Sequence, residues 1–266
     1  VHYYTPRFRR TTTLVAYSLD ICRGFALPIS PLQLVIALAA TLVGAIVQGT
    51  IGLGFAVFSV PILSLVNPIL APVPQLMLAA PLTVSMVWRE RSSIDARGVV
   101  WMLVGRIPGA IIGLWVLGLA AQRSIDVGIA LSVLVAVAIL GTGLSIPRNR
   151  VSELGTGIAS GVTGMVASMG GPPAALLYKD SAGPTIRASL SLFFAGGLLV
   201  TILFRIGAHR ISGDDLTITV MLLPALLTGF LISSRLRHRL DGRAIRPAIL
   251  AVSSLAAVGL LIRAVL

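Results

Sequence analysis

Two stretches of this chain carry residue types and spacing on which binding chemistry can be built: QGTIGLGFAVFSVP at 48–61 and GVTGMVASMGGPPAALLY at 161–178. Glycine reaches positive φ and admits a close backbone or ligand, while proline ends a hydrogen-bonded ladder, so each stretch is expected to stop one helix and start another. Pro172 and Pro173, after Gly170-Gly171, suit the first turn of the new helix. The N-terminus of such a half-helix offers free N–H donors and partial positive charge, which binds an anion without a buried lysine. The expected site is therefore a small-anion site. Its backbone would come from Gly49, Gly52, Gly54, Gly164, Gly170, Gly171 and Pro172, and its side-chain donors would be Gln48, Thr50, Ser59, Thr163, Ser168 and Tyr178. Small residues also let membrane helices pack closely, and Gly157, Gly161 and Gly164 have the spacing for that alone.

Charged candidates are few. Arg106 in LVGRIPGA is either a counter-charge on an anion pathway or a side chain snorkelling to the interface. Arg187 opens the helix after YKDSAGPTIRASL and is a candidate for touching substrate at an entrance, whereas Arg205 and Arg263 are expected to be helix-end anchors. Lys179 and Asp180 form a candidate loop ion pair, and Trp88, Trp101 and Trp115 are placed for an aromatic belt. No Asp or Glu is expected deep in a span, so a carboxylate proton relay is not expected.

Enzyme chemistry finds little to work with. The histidines are His2, His209 and His238 and the one cysteine is Cys22, which excludes a metal cluster, a thiolate site and an intrachain disulfide. No GxxxxGK[ST] occurs, and no His or Lys partner for a nucleophilic serine falls in an apolar run. The expectation is a protein that is not an enzyme and needs no cofactor or metal.

The elements that must position the two stretches follow from composition. Of 266 residues 56% are hydrophobic and 11% charged, with mean hydropathy +0.97, which makes a polytopic membrane protein in contact with a lipid bilayer. Apolar runs recur at 34–66, 71–87, 99–121, 127–146, 154–178, 188–204, 216–234 and 244–261. The net charge of +12 resides mostly in arginines of short loops, where topology explains it and a nucleic-acid surface cannot be assembled. Residues 1–31 are too polar to span and read as an extramembrane or interfacial arm.

The chain also matches itself. Gly49, Gly52 and Pro61 align with Gly161, Gly164 and Pro173 at an offset of 112, and Pro108 and Gly113 align with Pro224 and Gly229 at 116. The basic loop RERSSIDAR precedes the Pro108 helix, but RLRHRLDGRAIR follows the Pro224 helix. If both loops are cytoplasmic, the two halves are inverted repeats. An odd number of crossings per half then requires each long run to be a broken hairpin followed by three helices. The fold expected is all-α, with about eight hydrophobic segments or ten helices counting the halves of the hairpins. Its parts are an arm at 1–31, a first repeat at 32–147 and a second at 148–266, with both termini outside. The arginines of the arm then run against the positive-inside trend.

GAIVQGTIGLGFAVFSVP in the first half and GIASGVTGMVASMGGPP in the second resemble the TauE/SafE family of sulfite exporters and sulfonate permeases over roughly residues 32–262. Phe55 stands where a further glycine is common in that family. The resemblance implies a bacterial-type cytoplasmic membrane permease for sulfite, organosulfonates or related small acids. Together these readings give a secondary permease working by alternating access, able to form a homo-oligomer. An anion channel, a permease for small carboxylates or a scaffold using its glycines only for packing are the alternatives.

Overall fold

The structure is a computed structural model that describes residues 29–142, 146–178, 180–236 and 242–265. Most of the 1–31 arm, with His2 and Cys22, and also Lys179 and His238, lie outside the described residues. The expected Lys179–Asp180 pair falls there too.

The described chain is all-helical, in ten α-helices. The first is α1 (Pro31–Ile51), followed by α2 (Phe55–Val66), α3 (Val73–Glu90), α4 (Ala96–Leu119) and α5 (Gln122–Thr142). The rest are α6 (Arg150–Ala167), α7 (Gly171–Tyr178), α8 (Gly183–Gly207), α9 (Gly213–Leu236) and α10 (Gly242–Val265). Five of the helical stretches, 31–51, 68–93, 96–119, 183–207 and 213–236, are long and apolar enough to cross a membrane, and shorter apolar helices accompany them. Caps set several starts. Ser30 and Gln33 form a reciprocal capping box ahead of α1, Asp95 accepts from Gly98 N–H ahead of α4, and Asn149 accepts from Ser152 N–H ahead of α6.

Both long apolar runs are broken where glycine clusters. α1 ends on Gly52 at φ 97°, and α2 begins after Gly54 at φ 125°. α6 ends on Ser168 at φ 56°, and α7 begins at Gly171. The closing residues, 52 and 168, are 116 apart, and so are the resuming residues 55 and 171. The offset of 112 between the glycine clusters is therefore out of register with the breaks: Gly164 lies inside α6, a turn before its end, and is no counterpart of the cap Gly52. Glycine identity misled because Gly49 and Gly161 serve packing, which follows neighbouring helices rather than break position.

That packing is close and parallel. Gly105 and Gly109 of α4 abut the backbone of Leu154 and Ile158 of α6, and Gly161 of α6 abuts Ala110 N, where an added methyl would sit 2.7 Å away. α9 lies along α1 in the same way, with Gly229 against Leu42 and Ala45 and Gly49 against Ser233. The pairs α3–α8 and α5–α10 instead run antiparallel. Glu90 at the end of α3 meets Arg187 at the start of α8 at 2.8 Å, and Asp126 at the start of α5 meets Arg263 at the end of α10 at 3.0 Å.

Two faces result. On one, the start of α1 meets the ends of α2 and α10, through Gln33 Nε2 to Val66 O at 3.4 Å and Arg263 Nη1 to Leu65 O at 3.0 Å. On the other, Arg89 donates to Ser234 at 3.4 Å and Arg150 lies over Trp101, joining the arginine-bearing ends of α3 and α9 with the starts of α4 and α6. We term the second the basic face.

Candidate functional site

The two breaks meet at a cavity of about 50 Å³. Gln48, Gly54 and the first residues of α2 line it from one side, and Ser168, Met169, Gly170 and Gly171 from the other; Thr83 of α3, Arg106 of α4 and Phe194 of α8 complete it. On the order of four waters or one small polyatomic ion fit in such a volume.

Arg106 dominates the chemistry. It is 2% exposed, so it does not snorkel to an interface. Its guanidinium fits because three positions have no side chain: a methyl on Gly164 would lie 2.6 Å from Nη2, one on Gly170 2.5 Å from Nη1, and one on Gly197 would collide with Nε. Phe193 presents its ring 5.2 Å from the guanidinium carbon, and Thr201 accepts from Nη2 at 3.5 Å. Nε and Nη1 have no hydrogen-bond partner among the described residues. A buried cation left with open donors costs several kcal/mol, roughly, unless an anion completes it.

The breaks contribute unequally. Gln48, buried, turns Oε1 to the N–H of Phe55 at 3.0 Å and so satisfies one orphan donor of α2; Ala56 and Val57, carrying the next first-turn N–H groups, also line the cavity. In α7 Pro172 and Pro173 carry no N–H, so this helix start presents fewer donors than its sequence position suggested. Its share is space for Arg106.

Of the residues expected to bind, Gln48, Gly54, Arg106, Ser168, Gly170 and Gly171 converge here. The others are placed elsewhere. Gly49 packs on Ser233, and Gly52 is the left-handed cap of α1, where a methyl would lie 2.8 Å from Arg187 Cγ. Gly164 borders the Arg106 guanidinium from outside the lining. The hydroxyls of Thr50, Ser59 and Thr163 return to carbonyls of their own helices, at 2.9, 2.7 and 3.0 Å. Pro172 lines a separate groove beside α5. Arg187 is committed to Glu90 through both carboxylate oxygens, at 2.9 and 2.8 Å. Arg205 is no interfacial anchor: it is 3% exposed and donates to the carbonyl of Met165, because the end of α6 reaches it.

Tyr178 belongs to a cluster on the basic face that sequence reasoning missed. Arg148 lies over its ring at 4.4 Å and bonds Asp95 and Glu153, while Tyr178 OH donates to Asp95 Oδ2 at 3.1 Å. Burial works against the Asp95 charge, but the Arg148 hydrogen bond and charge, with the Gly98 N–H and Tyr178 OH, hold its carboxyl below the ordinary 3.8. Residues 95, 148 and 178 come from three loops and helix ends, and nothing in their spacing announces the meeting. Arg89 is a loop charge by sequence alone, yet its Nη2 donates to Gly49 O at 2.9 Å in the last turn of α1.

Residues 36–260 match the family described as Sulfite exporter TauE/SafE. The chain belongs to the TauE/SafE family. No curated protein and no solved structure gives a significant match. Membership makes this a multi-pass membrane transporter rather than an enzyme, with a transported substrate and surrounding lipid as its partners. The two breaks converge within the matched residues.

Proposed function

We propose that this TauE/SafE transporter is a secondary permease that moves a small anion, sulfite, an organosulfonate or a related sulfur-containing acid, by alternating access. The observation that carries the reading is Arg106, buried against a cavity of about 50 Å³ with Nε and Nη1 unpartnered among the described residues. An oxoanion supplies the missing acceptors and charge, and charge-assisted hydrogen bonds of this kind are the strong ones.

An inverted repeat, residues 32–147 against 148–266 behind an arm at 1–31, supports alternating access. At the offset of 116, Arg89 and Arg205 correspond, and each donates to the carbonyl three residues before a left-handed cap, Gly49 before Gly52 and Met165 before Ser168. Pro108 and Pro224 fall inside α4 and α9 at the same offset. The antiparallel α3–α8 and α5–α10 pairs suit opposite orientation of the halves. A cytoplasmic basic face, in a bacterial cytoplasmic membrane, satisfies the positive-inside trend and puts the start of α1 and the end of α10 outside.

The test is flux of labelled sulfite into proteoliposomes, with small carboxylates as matched competitors. Arg106→Gln is expected to slow flux about 100-fold, the loss of roughly 2.7 kcal/mol of charge-assisted binding, while the protein stays monodisperse. Wild-type flux in that variant removes Arg106 from the site. Acceleration of uptake by sulfite inside the vesicle marks a carrier; its absence marks a channel.

A further inference from the structure

A second arginine is buried beside a second cavity. Toward the face opposite the basic one, a space of about 220 Å³ lies between the start of α3, the ends of α4 and α8 and the starts of α5 and α9, lined by Pro72, Val73, Arg205, Arg210 and Asp215 among others. Arg205 is 3% exposed; its Nη2 is taken by the Met165 carbonyl, but its Nε has no partner among the described residues. Arg210 is exposed at the rim. Among the described residues the one acidic side chain of the lining, Asp215, accepts at Oδ2 from the N–H and hydroxyl of Ser212, at 2.8 and 2.7 Å, in the cap of α9. The space therefore holds two cations against one carboxylate that is already hydrogen-bonded.

Its position relative to the central cavity is informative. Ser168 lines the central cavity and Pro72 lines this one, and the Ser168 hydroxyl donates to Pro72 O at 3.0 Å. One hydrogen bond at the tip of the second break thus joins the walls of both cavities, and Arg205 holds the same tip through Met165. We infer that the Arg205–Arg210 cavity is a vestibular anion site, in which a small oxoanion waits on Arg205 Nε and Arg210 before or after crossing the Ser168–Pro72 partition. The inference rests on the permease reading for its role in transport. The site itself stands on its own geometry. A lipid phosphate offers the same oxygens as a free oxoanion, so the test must separate them.

The test uses the full chain with Cys22→Ser and Val73→Cys, placing a thiol in the vestibule. In nanodiscs of neutral phosphatidylcholine, a methanethiosulfonate reagent bearing a sulfonate is expected to label it on the order of tenfold faster than the trimethylammonium reagent of similar size, the scale of electrostatic focusing in a charged cleft. Arg205→Gln should bring the ratio close to one. Arg210→Gln, which leaves the Met165 contact intact, should lower it part of the way, so that misfolding of the buried variant does not decide the matter. Methanesulfonate should slow labelling, and should do so equally in an Arg106→Gln background. Equal rates for the two reagents, or a ratio indifferent to both arginines, overturns the site. Suppression by phosphatidylglycerol in the disc but not by methanesulfonate assigns the arginines to a lipid headgroup and overturns the vestibule. None of these readouts depends on sulfite flux, so a failure of the central reading at Arg106 remains separately visible.

Discussion

The two helix breaks close 116 residues apart, at Gly52 and Ser168, and wall one cavity, yet they do different things. The first uses two glycines at positive φ, 97° at Gly52 and 125° at Gly54, and lends its Gln48 side chain to the orphaned Phe55 N–H. The second turns on Ser168, a non-glycine residue at φ 56°, resumes with two prolines that have no N–H, and gives its glycine space to the Arg106 guanidinium. One break supplies dipole and amides; the other makes room for a full charge. The two breaks thus differ in backbone geometry as well as in the side chains that fill them.

The comparison can be broken by substitution. The largest effect on folding is expected at Gln48: Gln48→Leu keeps volume but strands the buried Phe55 N–H, costing about 2 kcal/mol, read as a lowered unfolding midpoint in detergent. Next come alanines at Gly54 and Gly170, which are also 116 residues apart. Gly54→Ala forces a side chain to φ 125° and onto Val47 Cγ1 at 2.8 Å, so it should cost stability by about 1–2 kcal/mol. Gly170→Ala instead pushes on the Arg106 Nη1 and should cost flux about tenfold, roughly 1.4 kcal/mol, with a smaller change in midpoint. If the two alanines have the same profile, the division of labour between the breaks is wrong.

Ser168→Gly should be milder. It relieves about 1 kcal/mol of left-handed strain but removes the hydroxyl from Pro72, so the midpoint should change little while flux changes. The smallest effect lies outside the breaks, at Asp95. Its carboxyl titrates below 3.8, so the stabilisation from Arg148 is complete above that value and disappears as pH falls through the lowered one. Asp95→Asn should therefore lower stability at pH 7 by no more than about 1 kcal/mol, read as a small drop in midpoint, since the pair is partly exposed. The two proteins should converge in acid below the titration.

Several parts of this organisation were legible in the residues themselves. Hydropathy and glycine clusters located the helices and both breaks, and Gly170-Gly171 with two prolines marked the start of α7, because backbone freedom and missing N–H groups are local properties. Arg106 was legible as a candidate by being charged within an apolar run. What it does was not: snorkelling and counter-charge differ only in which neighbours lie beside the guanidinium, and those are Gly164, Gly170, Gly197 and Phe193 from other helices. The spacing of the glycines pointed to an offset of 112 because close helix packing and backbone breaks use the same residue, and only packing partners tell them apart.

The sequence by itself determined that the chain is a bundle of membrane helices with two interruptions and almost no charge to spare inside it. Only the tertiary structure decided which polar groups are already satisfied. Arg187 was as eligible as Arg106 until its hydrogen bonds to Glu90, from another helix, were seen. A polar side chain's capacity to bind a ligand is what remains after its neighbours have been served, and in a folded membrane protein those neighbours come from distant parts of the chain.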